Sequence, residues 1–204
     1  MRAITFSGYT WDVRESKSPS MPGPNTYSAD SVLASDTHLT LSIKHTESRW
    51  DCSEVALQKP LGYGIYTYDI GPLHDIDSSV VCGAFLYEHD TQEIDIEVSP
   101  TMVGLGKVQF AIQPTWKFWN VRKKPIDLSV PATHRIVWTP TSLIFSITDT
   151  QTQKELAFWK WRGVAISSPE RALFVFNVWL FNDVPVTKNQ QVTLSAFSFT
   201  PLKE

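Results

Sequence analysis

The apolar residues of this chain recur at every second position in many short segments. Leu39-Thr-Leu-Ser-Ile-Lys44 and Leu143-Ile-Phe-Ser-Ile-Thr148 are two of them. Such alternation is typical of β-strands with one buried face, and no segment keeps a helical period over about ten residues. Pro and Gly occur throughout the connections. The pattern predicts an all-β sandwich or barrel, with strands at Leu39–His45, Glu54–Lys59, Gly64–Ile70, Val80–Tyr87, Glu93–Ser99, Val108–Gln113, His134–Thr139, Leu143–Thr148, Leu156–Trp161, Leu173–Phe181 and Gln191–Thr200. It also predicts a long loop at Trp11–Tyr27.

Length and charge narrow the class of protein. The 204 residues, of which 42% are hydrophobic, fit one domain with a sizeable core, which we place at residues 1–204. The net charge of −3 gives no basic field for nucleic acid, and we interpret the run Arg122-Lys-Lys124 as a solvated loop. No apolar run approaches the ~18 residues of a membrane span. We therefore expect a monomer that binds neither nucleic acid nor membranes.

Cysteine content and the N-terminal residues do not decide the cell compartment. Cys52 and Cys82 are the two cysteines, too few for a disulfide scaffold. A bridge between them is possible, although two buried free thiols are the favoured interpretation. The N-terminal residues lack the pattern of a secretory signal, which leaves the cell compartment open.

Three carboxylates alternate with apolar residues in Gln92-Glu-Ile-Asp-Ile-Glu-Val98. Glu93, Asp95 and Glu97 therefore share one face of a predicted strand. About 13 Å separates the Cα atoms of the two glutamates, and leaning side chains leave roughly 5 Å between the carboxyl groups, as in retaining glycosidases. Less leaning gives the wider inverting gap. The alternative is a solvent-facing strand with an acidic stripe.

The surrounding motifs resemble those of glycoside hydrolase family 16. That family carries E-x-D-x-E, which Glu93–Glu97 satisfies, and a concanavalin-like jelly roll with an open substrate cleft on the concave sheet. The resemblance extends over most of the chain, to Tyr63-Gly-Ile-Tyr66, His134-Arg-Ile-Val-Trp-Thr-Pro140, Phe176-Asn-Val-Trp-Leu-Phe181 and the lichenase-like Asp51-Cys-Ser-Glu54. It implies an all-β, two-sheet antiparallel sandwich acting on a polysaccharide, most simply β-1,3- or β-1,3-1,4-glucan. It also implies secretion.

The resemblance assigns roles to the acids. Glu93 is then the nucleophile of a retaining reaction, Glu97 the general acid/base, and Asp95 assists between them. This chemistry needs no metal or organic cofactor. Family members often bind a structural calcium through a carboxylate in the final strand, and the matching position here is Ala196, so we expect no metal. Lichenases also have Asn-Arg after the Asp-Cys-Gly-Glu run, where this chain has Val55 and Ala56, so part of the sugar binding must differ.

Substrate binding is assigned to aromatic and amide side chains. The chain has 8 Trp, 11 Phe and 6 Tyr, and flat rings lining a groove suit the apolar faces of sugars. The family resemblance favours residues of the segment Phe176–Phe181 and of the N-terminal loop. Position in the chain favours residues close to the acidic strand. The candidates are Trp116, Trp119, Asn177, Trp179, Tyr87, Trp11 and Asn25.

Other functions remain as alternatives. A non-catalytic carbohydrate-binding protein on the same fold is one, although such relatives typically lose the glutamates that this chain keeps. A transglycosylase, in which a sugar replaces water as acceptor, is another. A serine hydrolase is disfavoured because no G-x-S-x-G motif occurs, and a metalloenzyme because the five His residues lack ligand spacing.

Overall fold

The computed structural model describes residues 2–46, 48–100, 107–163 and 167–202. This part of the chain forms sixteen strands and three short 3-10 helices. The strands are β1 (Arg2–Phe6), β2 (Tyr9–Val13), β3 (Thr26–Tyr27), β4 (Val32–Ala34), β5 (Leu39–Thr46), β6 (Arg49–Leu57), β7 (Gly64–Ile70), β8 (Val80–His89), β9 (Gln92–Val98), β10 (Val108–Ile112), β11 (Val121–Lys124), β12 (Ala132–Thr139), β13 (Ser142–Asp149), β14 (Glu155–Arg162), β15 (Leu173–Leu180) and β16 (Gln190–Pro201). The 3-10 helices are Ala29–Ser31, Phe118–Asn120 and Phe181–Asp183.

The strands form two packed layers joined along one ladder. One layer has the order β11-β10-β9-β8-β15-β6, and the other has β5-β16-β7-β12-β13-β14. The β5–β6 hairpin connects them, and the pairing is antiparallel except between β3 and β6. Strands distant in sequence pair at the centre of each layer, β15 with β8 and β6 in one, and β16 with β5 and β7 and β7 with β12 in the other, as in a jelly roll. The predicted all-β jelly-roll sandwich is confirmed.

Aromatic rings fill the space between the layers. Phe110 of β10 stacks on Phe145 of β13, with ring centroids 5.2 Å apart, and Tyr66 of β7 stacks on Phe174 of β15 at 5.3 Å. Alternation explains the outer layer, since every second residue of β7 and β13 is buried. Strand β15 is buried along nearly its whole length because its other face forms the floor of a cleft. Both faces of this strand are therefore constrained by packing.

The N-terminal region departs from the predicted loop at Trp11–Tyr27. Residues Tyr9–Val13 form β2, which pairs with β1 on one side and with β6 on the other. Trp11 lies opposite Leu57 and is fully buried. The hairpin was missed because its residues alternate weakly, and pairing with β6 supplies the order that local sequence does not.

The basic run Arg122-Lys-Lys124 is also not a loop. It belongs to β11, the edge strand beside β10. Charged residues suit an edge strand because they oppose pairing with other chains, and this hides the strand from a pattern-based prediction. Cys52 and Cys82 are buried and form no disulfide, as the sequence favoured. Within the described residues, no helix is long and apolar enough to cross a membrane. The extent of the domain and the monomeric state stay predictions.

Candidate active site

The acidic strand β9 turns its carboxylates away from the core. Ile94, Ile96 and Val98 are buried between the layers, so Glu93, Asp95 and Glu97 project from the opposite face. There they line a cleft on the outer face of the layer β11-β10-β9-β8-β15-β6. The three acids therefore share one face of the strand, as the sequence predicted.

Strand pairing arranges the cleft floor in rows. Glu97 lies opposite Gly83 on β8 and Gln109 on β10. Gly83 in turn lies opposite Asn177, and Asn177 opposite Glu54. Residues directly opposite one another in a sheet share a face, so these five residues form one continuous row across five strands. The next row contains Val175, Phe85, Asp95 and Ala111, and the third brings Tyr87 opposite Glu93.

The cleft is partly open to solvent and holds about 590 Å³. This volume lies within the usual range for ligand sites. Two loops contribute to its lining, one from the N-terminal region with Met21 and Pro22 and one following β10 with Gln113 and Thr115. The lining residues are Arg14, Met21, Pro22, Glu54, Phe85, Tyr87, Asp90, Glu93, Asp95, Glu97, Gln109, Ala111, Gln113, Thr115, Val175, Asn177 and Trp179.

Burial sets the protonation of Glu97 and Glu93. Burial raises the pKa of Glu97 to about 7, against a smaller lowering by the hydrogen bond from Gln109 Nε2 to Glu97 Oε2, 3.2 Å long. Burial also raises the pKa of Glu93 to about 7, and the negative charges of Glu97, Asp90 and Glu54 add to this effect. A hydrogen bond with Asp95 acts in the opposite direction. Both glutamates therefore titrate near neutrality.

Asp95 lies between the glutamates and favours its neutral form. Burial raises its pKa well above the usual range, and the charges of Glu93 and Glu97 raise it further. Its hydrogen bond with Glu93 raises the pKa of Asp95 and lowers that of Glu93. Both effects have one explanation, in which protonated Asp95 donates to ionised Glu93. The other oxygen, Oδ1, is buried without a hydrogen-bond partner among the described residues.

Glu54 and Arg14 form a partly buried ion pair in the cleft lining. Arg14 Nη1 is 2.9 Å from Glu54 Oε2, and Asn177 Nδ2 donates to the same oxygen at 3.3 Å. Burial raises the pKa of Glu54, and the Arg14 charge opposes that rise. Arg14 also donates to Ser20 Oγ and to the carbonyl of Met21. It therefore ties the N-terminal loop to the cleft floor.

Sequence reasoning gave no role to Arg14, Glu54 or Gln109. The Asp51–Glu54 run was noted only as a resemblance. Arg14 and Glu54 are forty positions apart in sequence, and only the structure brings them together. For Glu54, an available signal was its place in that run; for Arg14 and Gln109 we find none.

Gly83 leaves the space that Asn177 occupies. A Cβ atom on Gly83 would clash with Asn177 Oδ1, so the Asn177 side chain would have to shift. The Asn177 carboxamide therefore lies above β8, in the row between Glu54 and Glu97. Its Oδ1 has no hydrogen-bond partner among the described residues. The cleft thus presents a buried acceptor beside the acids.

The same architecture occurs in enzymes of known structure. The β-glucanase of Bacillus licheniformis superposes with a TM-score of 0.71 at 18% identity, covering 94% of this chain and 92% of that one. A β-1,3-1,4-glucanase (lichenase) derived from a mouse hindgut metagenome gives 0.70 at 17%, covering 94% and 93%. A glycoside hydrolase family 16 endo-glucanase from Bacteroides ovatus gives 0.66 at 12%, covering 93% and 94%.

The chain has the fold of glycoside hydrolase family 16. No protein-family model matches it, and no curated protein matches it in sequence. At this level of identity the likeness establishes the fold, so the chemistry must be argued from the site itself.

Three predicted binding residues line the cleft of this family 16 fold. Asn177 and Trp179 lie on β15, and Tyr87 lies on β8 opposite Glu93. Tyr87 Oη donates to Asp90 Oδ1 at 2.7 Å, which holds its ring at the cleft wall. These positions are compatible with the predicted contacts to sugar, which stay predictions.

The prediction that Trp11 and Asn25 bind substrate is wrong. Trp11 is 0% exposed, packs against Phe176 and Phe197, and donates through Nε1 to the carbonyl of Phe6. Strand β2 turns this ring into the core of the family 16 fold.

Asn25 is 1% exposed and anchors the N-terminal loop. Its Nδ2 donates to the carbonyls of Leu180 and Pro22, and its Oδ1 accepts from Cys52 Sγ. All of its polar atoms are thus used within the protein, and none remains for a ligand.

Trp116 and Trp119 lie outside the cleft. They are 79% and 57% exposed, on the loop that follows β10. Gln113 and Thr115, at the start of this loop, line the cleft, but the two Trp side chains do not. The structure therefore places them beside the site rather than within it.

The described residues contain no group of three or more His, Cys, Asp or Glu side chains arranged to hold a metal ion. Ala196, which matches the calcium-binding position of the family, lies on β16 and offers no side-chain ligand. The absence of a cofactor stays a prediction.

Proposed function

We propose that this protein is a retaining, endo-acting glycoside hydrolase that cleaves a β-linked polysaccharide through a covalent glycosyl-enzyme intermediate. The observation that carries the proposal is the set of three carboxyl groups on the floor of the cleft, with Asp95 buried and Glu93 and Glu97 partly buried. Burying three acids together costs free energy, and two carboxyl groups facing one bond are what glycoside hydrolysis requires. An open cleft admits the interior of a polymer.

In this mechanism Glu93 attacks the anomeric carbon. A nucleophile must be ionised, and the hydrogen bond from protonated Asp95 favours that form of Glu93. The bond from carbon to the leaving oxygen breaks while a bond to Glu93 forms, which gives the glycosyl-enzyme. Water then attacks the same carbon and releases Glu93.

Glu97 supplies the proton that the leaving oxygen needs. With a pKa of about 7, it holds a proton near neutral pH and still gives it up readily. The hydrogen bond from Gln109 orients its carboxyl group. After the first step, ionised Glu97 takes a proton from the attacking water.

Tyr87, Asn177 and Trp179 would hold the sugar beside the acids. A ring stacks on the apolar face of a sugar while amide and carboxylate groups accept hydrogen bonds from its hydroxyls. Asn177 lines the cleft between Glu54 and Glu97 and is such an amide. The structural neighbours are named as β-glucanases, lichenase and laminarinase, and we therefore propose β-1,3- or β-1,3-1,4-glucan as substrate.

The test measures reducing ends released from laminarin, mixed-linkage barley glucan, xyloglucan, agarose and carrageenan. Wild type is compared with Glu93→Gln and with Glu155→Gln, a matched change at an exposed position of β14. We expect release from a glucan that is lost only in Glu93→Gln. Binding without release would support a non-catalytic carbohydrate-binding protein, and longer products in place of new reducing ends would support a transglycosylase.

The retaining mechanism has its own test. Proton NMR of the first product should show the anomer of the substrate, and an inverted anomer would contradict the role of Glu93. Glu97→Gln should slow hydrolysis of polysaccharide severely and hydrolysis of an activated aryl glycoside much less, since a good leaving group needs little protonation. Equal loss on both substrates would show that Glu97 is not the acid.

A further inference from the structure

The segment Thr115–Trp119, here called the aromatic loop, exposes three large rings. Trp116 is 79% exposed, Phe118 82% and Trp119 57%. Apolar side chains of this size are mostly buried, and a cluster of them on the surface usually marks a place where something binds. Nothing in the catalytic proposal uses these rings.

The backbone of the aromatic loop is fixed by hydrogen bonds. Asn120 is buried, its backbone N–H donates to the carbonyl of Lys117 at 2.8 Å, and its Nδ2 donates to the carbonyl of Pro114 at 3.3 Å. The backbone N–H of Lys117 also donates to the carbonyl of Pro114. The rings therefore point outward because the turn holds them there, and the exposure is built into the fold.

The aromatic loop continues the wall of the cleft. Gln113 donates from its backbone N–H to the carbonyl of Glu93 at 3.0 Å, and both Gln113 and Thr115 line the cleft. Trp116 follows three positions after Gln113, so at most about 10 Å of chain separates their Cα atoms. The exposed rings therefore belong to residues that follow directly, along the chain, on two residues of the cleft lining.

We propose that the aromatic loop is a second carbohydrate-binding site, on which the polysaccharide chain lies after it leaves the cleft. The inference rests on the proposed function, and it deepens it by making the substrate a long polymer held at two places. Trp116, Phe118 and Trp119 provide apolar faces for sugar rings. Lys117 lies between Trp116 and Phe118 in the chain and Thr115 directly precedes Trp116, and both offer polar groups to the hydroxyls.

The arrangement of the rings favours an extended sugar chain. Phe118 and Trp119 meet edge to face with centroids 4.9 Å apart, and Lys117 Nζ lies 5.3 Å from the centroid of the Trp116 ring. The rings thus form separate small platforms with a cation among them. A sugar polymer presents apolar and polar surface in alternation, which suits such platforms. The aromatic loop also adjoins the cleft, and this favours a sugar polymer over a lipid surface or a second copy of this chain.

The experiment separates binding from turnover. Affinity electrophoresis in gels containing barley glucan or laminarin compares Glu93→Gln, which does not turn over, with the same protein carrying Trp116→Ala and Trp119→Ala. A third protein carries Phe158→Ala instead, a matched exposed aromatic on β14 in the other layer. We expect the glucan to retard the first and third proteins and to retard the double-alanine protein roughly tenfold less.

Kinetics of the otherwise wild-type variants give the second readout. For the polymer, we expect the Trp116→Ala, Trp119→Ala protein to have a KM roughly tenfold higher with kcat within about twofold, because the rings act on the polymer outside the reacting bond. Phe158→Ala should leave both constants unchanged. Equal retardation and equal KM in all proteins would overturn the inference.

The outcomes also separate this inference from the proposed function. If the wild type releases no reducing ends but its retardation depends on Trp116 and Trp119, the hydrolase proposal fails and the second binding site stands. If the alanine changes abolish binding to anionic phospholipid vesicles and leave glucan binding intact, the loop binds lipid and the inference is wrong.

Discussion

Replacing Glu97 with Gln should stabilise the protein at alkaline pH and leave its stability at acid pH unchanged. Burial raises the pKa of Glu97 from 4.5 to about 7. In the unfolded chain the group loses its proton near 4.5, whereas in the folded protein it keeps the proton until about pH 7. Stability therefore falls as the pH rises through this window. Below it the group is neutral in both states and has no effect, and above it the loss is complete.

The size of the effect follows from the change in pKa. At about 1.4 kcal/mol per pH unit, ionised Glu97 lowers the free energy of unfolding by about 3 kcal/mol at pH 8. Gln removes the charge and still accepts the hydrogen bond from Gln109 Nε2, which measures 3.2 Å in the folded protein. The charge of Glu97 also raises the pKa of Glu93. Removing that charge therefore lowers the pKa of Glu93 and reduces the free-energy cost of ionising it.

The assay is urea unfolding at pH 4 and pH 8, followed by intrinsic Trp fluorescence. We expect Glu97→Gln to gain about 3 kcal/mol at pH 8 and close to nothing at pH 4. Glu155→Gln, at an exposed position of β14, is the control and should change stability little at either pH. A gain that is equal at the two pH values, or a loss at pH 8, would refute the argument that the buried charge destabilises the fold.

Three further predictions concern the same cleft and the core behind it. The pH profile of kcat/KM should be a bell with its maximum near 7, because Glu93 must be ionised and Glu97 protonated and both have a pKa of about 7; Glu97→Gln should remove the alkaline limb. Gly83→Ala should lower kcat/KM about tenfold, a loss of about 1.4 kcal/mol, by displacing the Asn177 carboxamide from its bond to Glu54. Trp11→Ala should lower the free energy of unfolding by about 3–5 kcal/mol in urea titrations without raising KM for glucan in the folded protein.

Each of these three predictions can be contradicted by a specific result. If the alkaline limb persists in Glu97→Gln, another group supplies the proton. Gly71→Ala is the control for Gly83→Ala, since the nearest atom to its new Cβ is 3.6 Å away; activity losses of equal size in both variants would rule out the effect on Asn177. A raised KM in Trp11→Ala, at a temperature where the protein is folded, would restore Trp11 as a substrate contact.

The sequence predicted what depends on the period of a strand. Because side chains alternate, Glu93, Asp95 and Glu97 had to share one face wherever the strand was placed, and the apolar residues between them had to face the core. The same period identified most strands of the two layers, and motifs along the chain indicated the family 16 fold. Where the local pattern was weak, as in the β1–β2 hairpin and in β11, strands were missed.

Local pattern also failed to separate the two faces of a well-packed strand. Both faces of β15 are buried, so alternation gave no sign of which residues face the cleft. The alternation likewise did not predict the environment of Trp11, since an aromatic ring suits either a sugar groove or a core. Pairing between β2 and β6 decided that this ring packs inside.

Only the tertiary structure decided which distant residues meet. Asn177, Gly83 and Glu97 are neighbours because β15, β8 and β9 pair in that order, and Arg14 reaches Glu54 across forty positions of sequence. The register of such pairings is set by the packing of the whole sandwich. Protonation depends on it too: the same glutamates on an exposed strand would lack the burial that raises their pKa to about 7. The sequence by itself determined which acids stand together, and the fold determined what surrounds them, because burial and neighbouring charge arise from contacts between segments far apart in the chain.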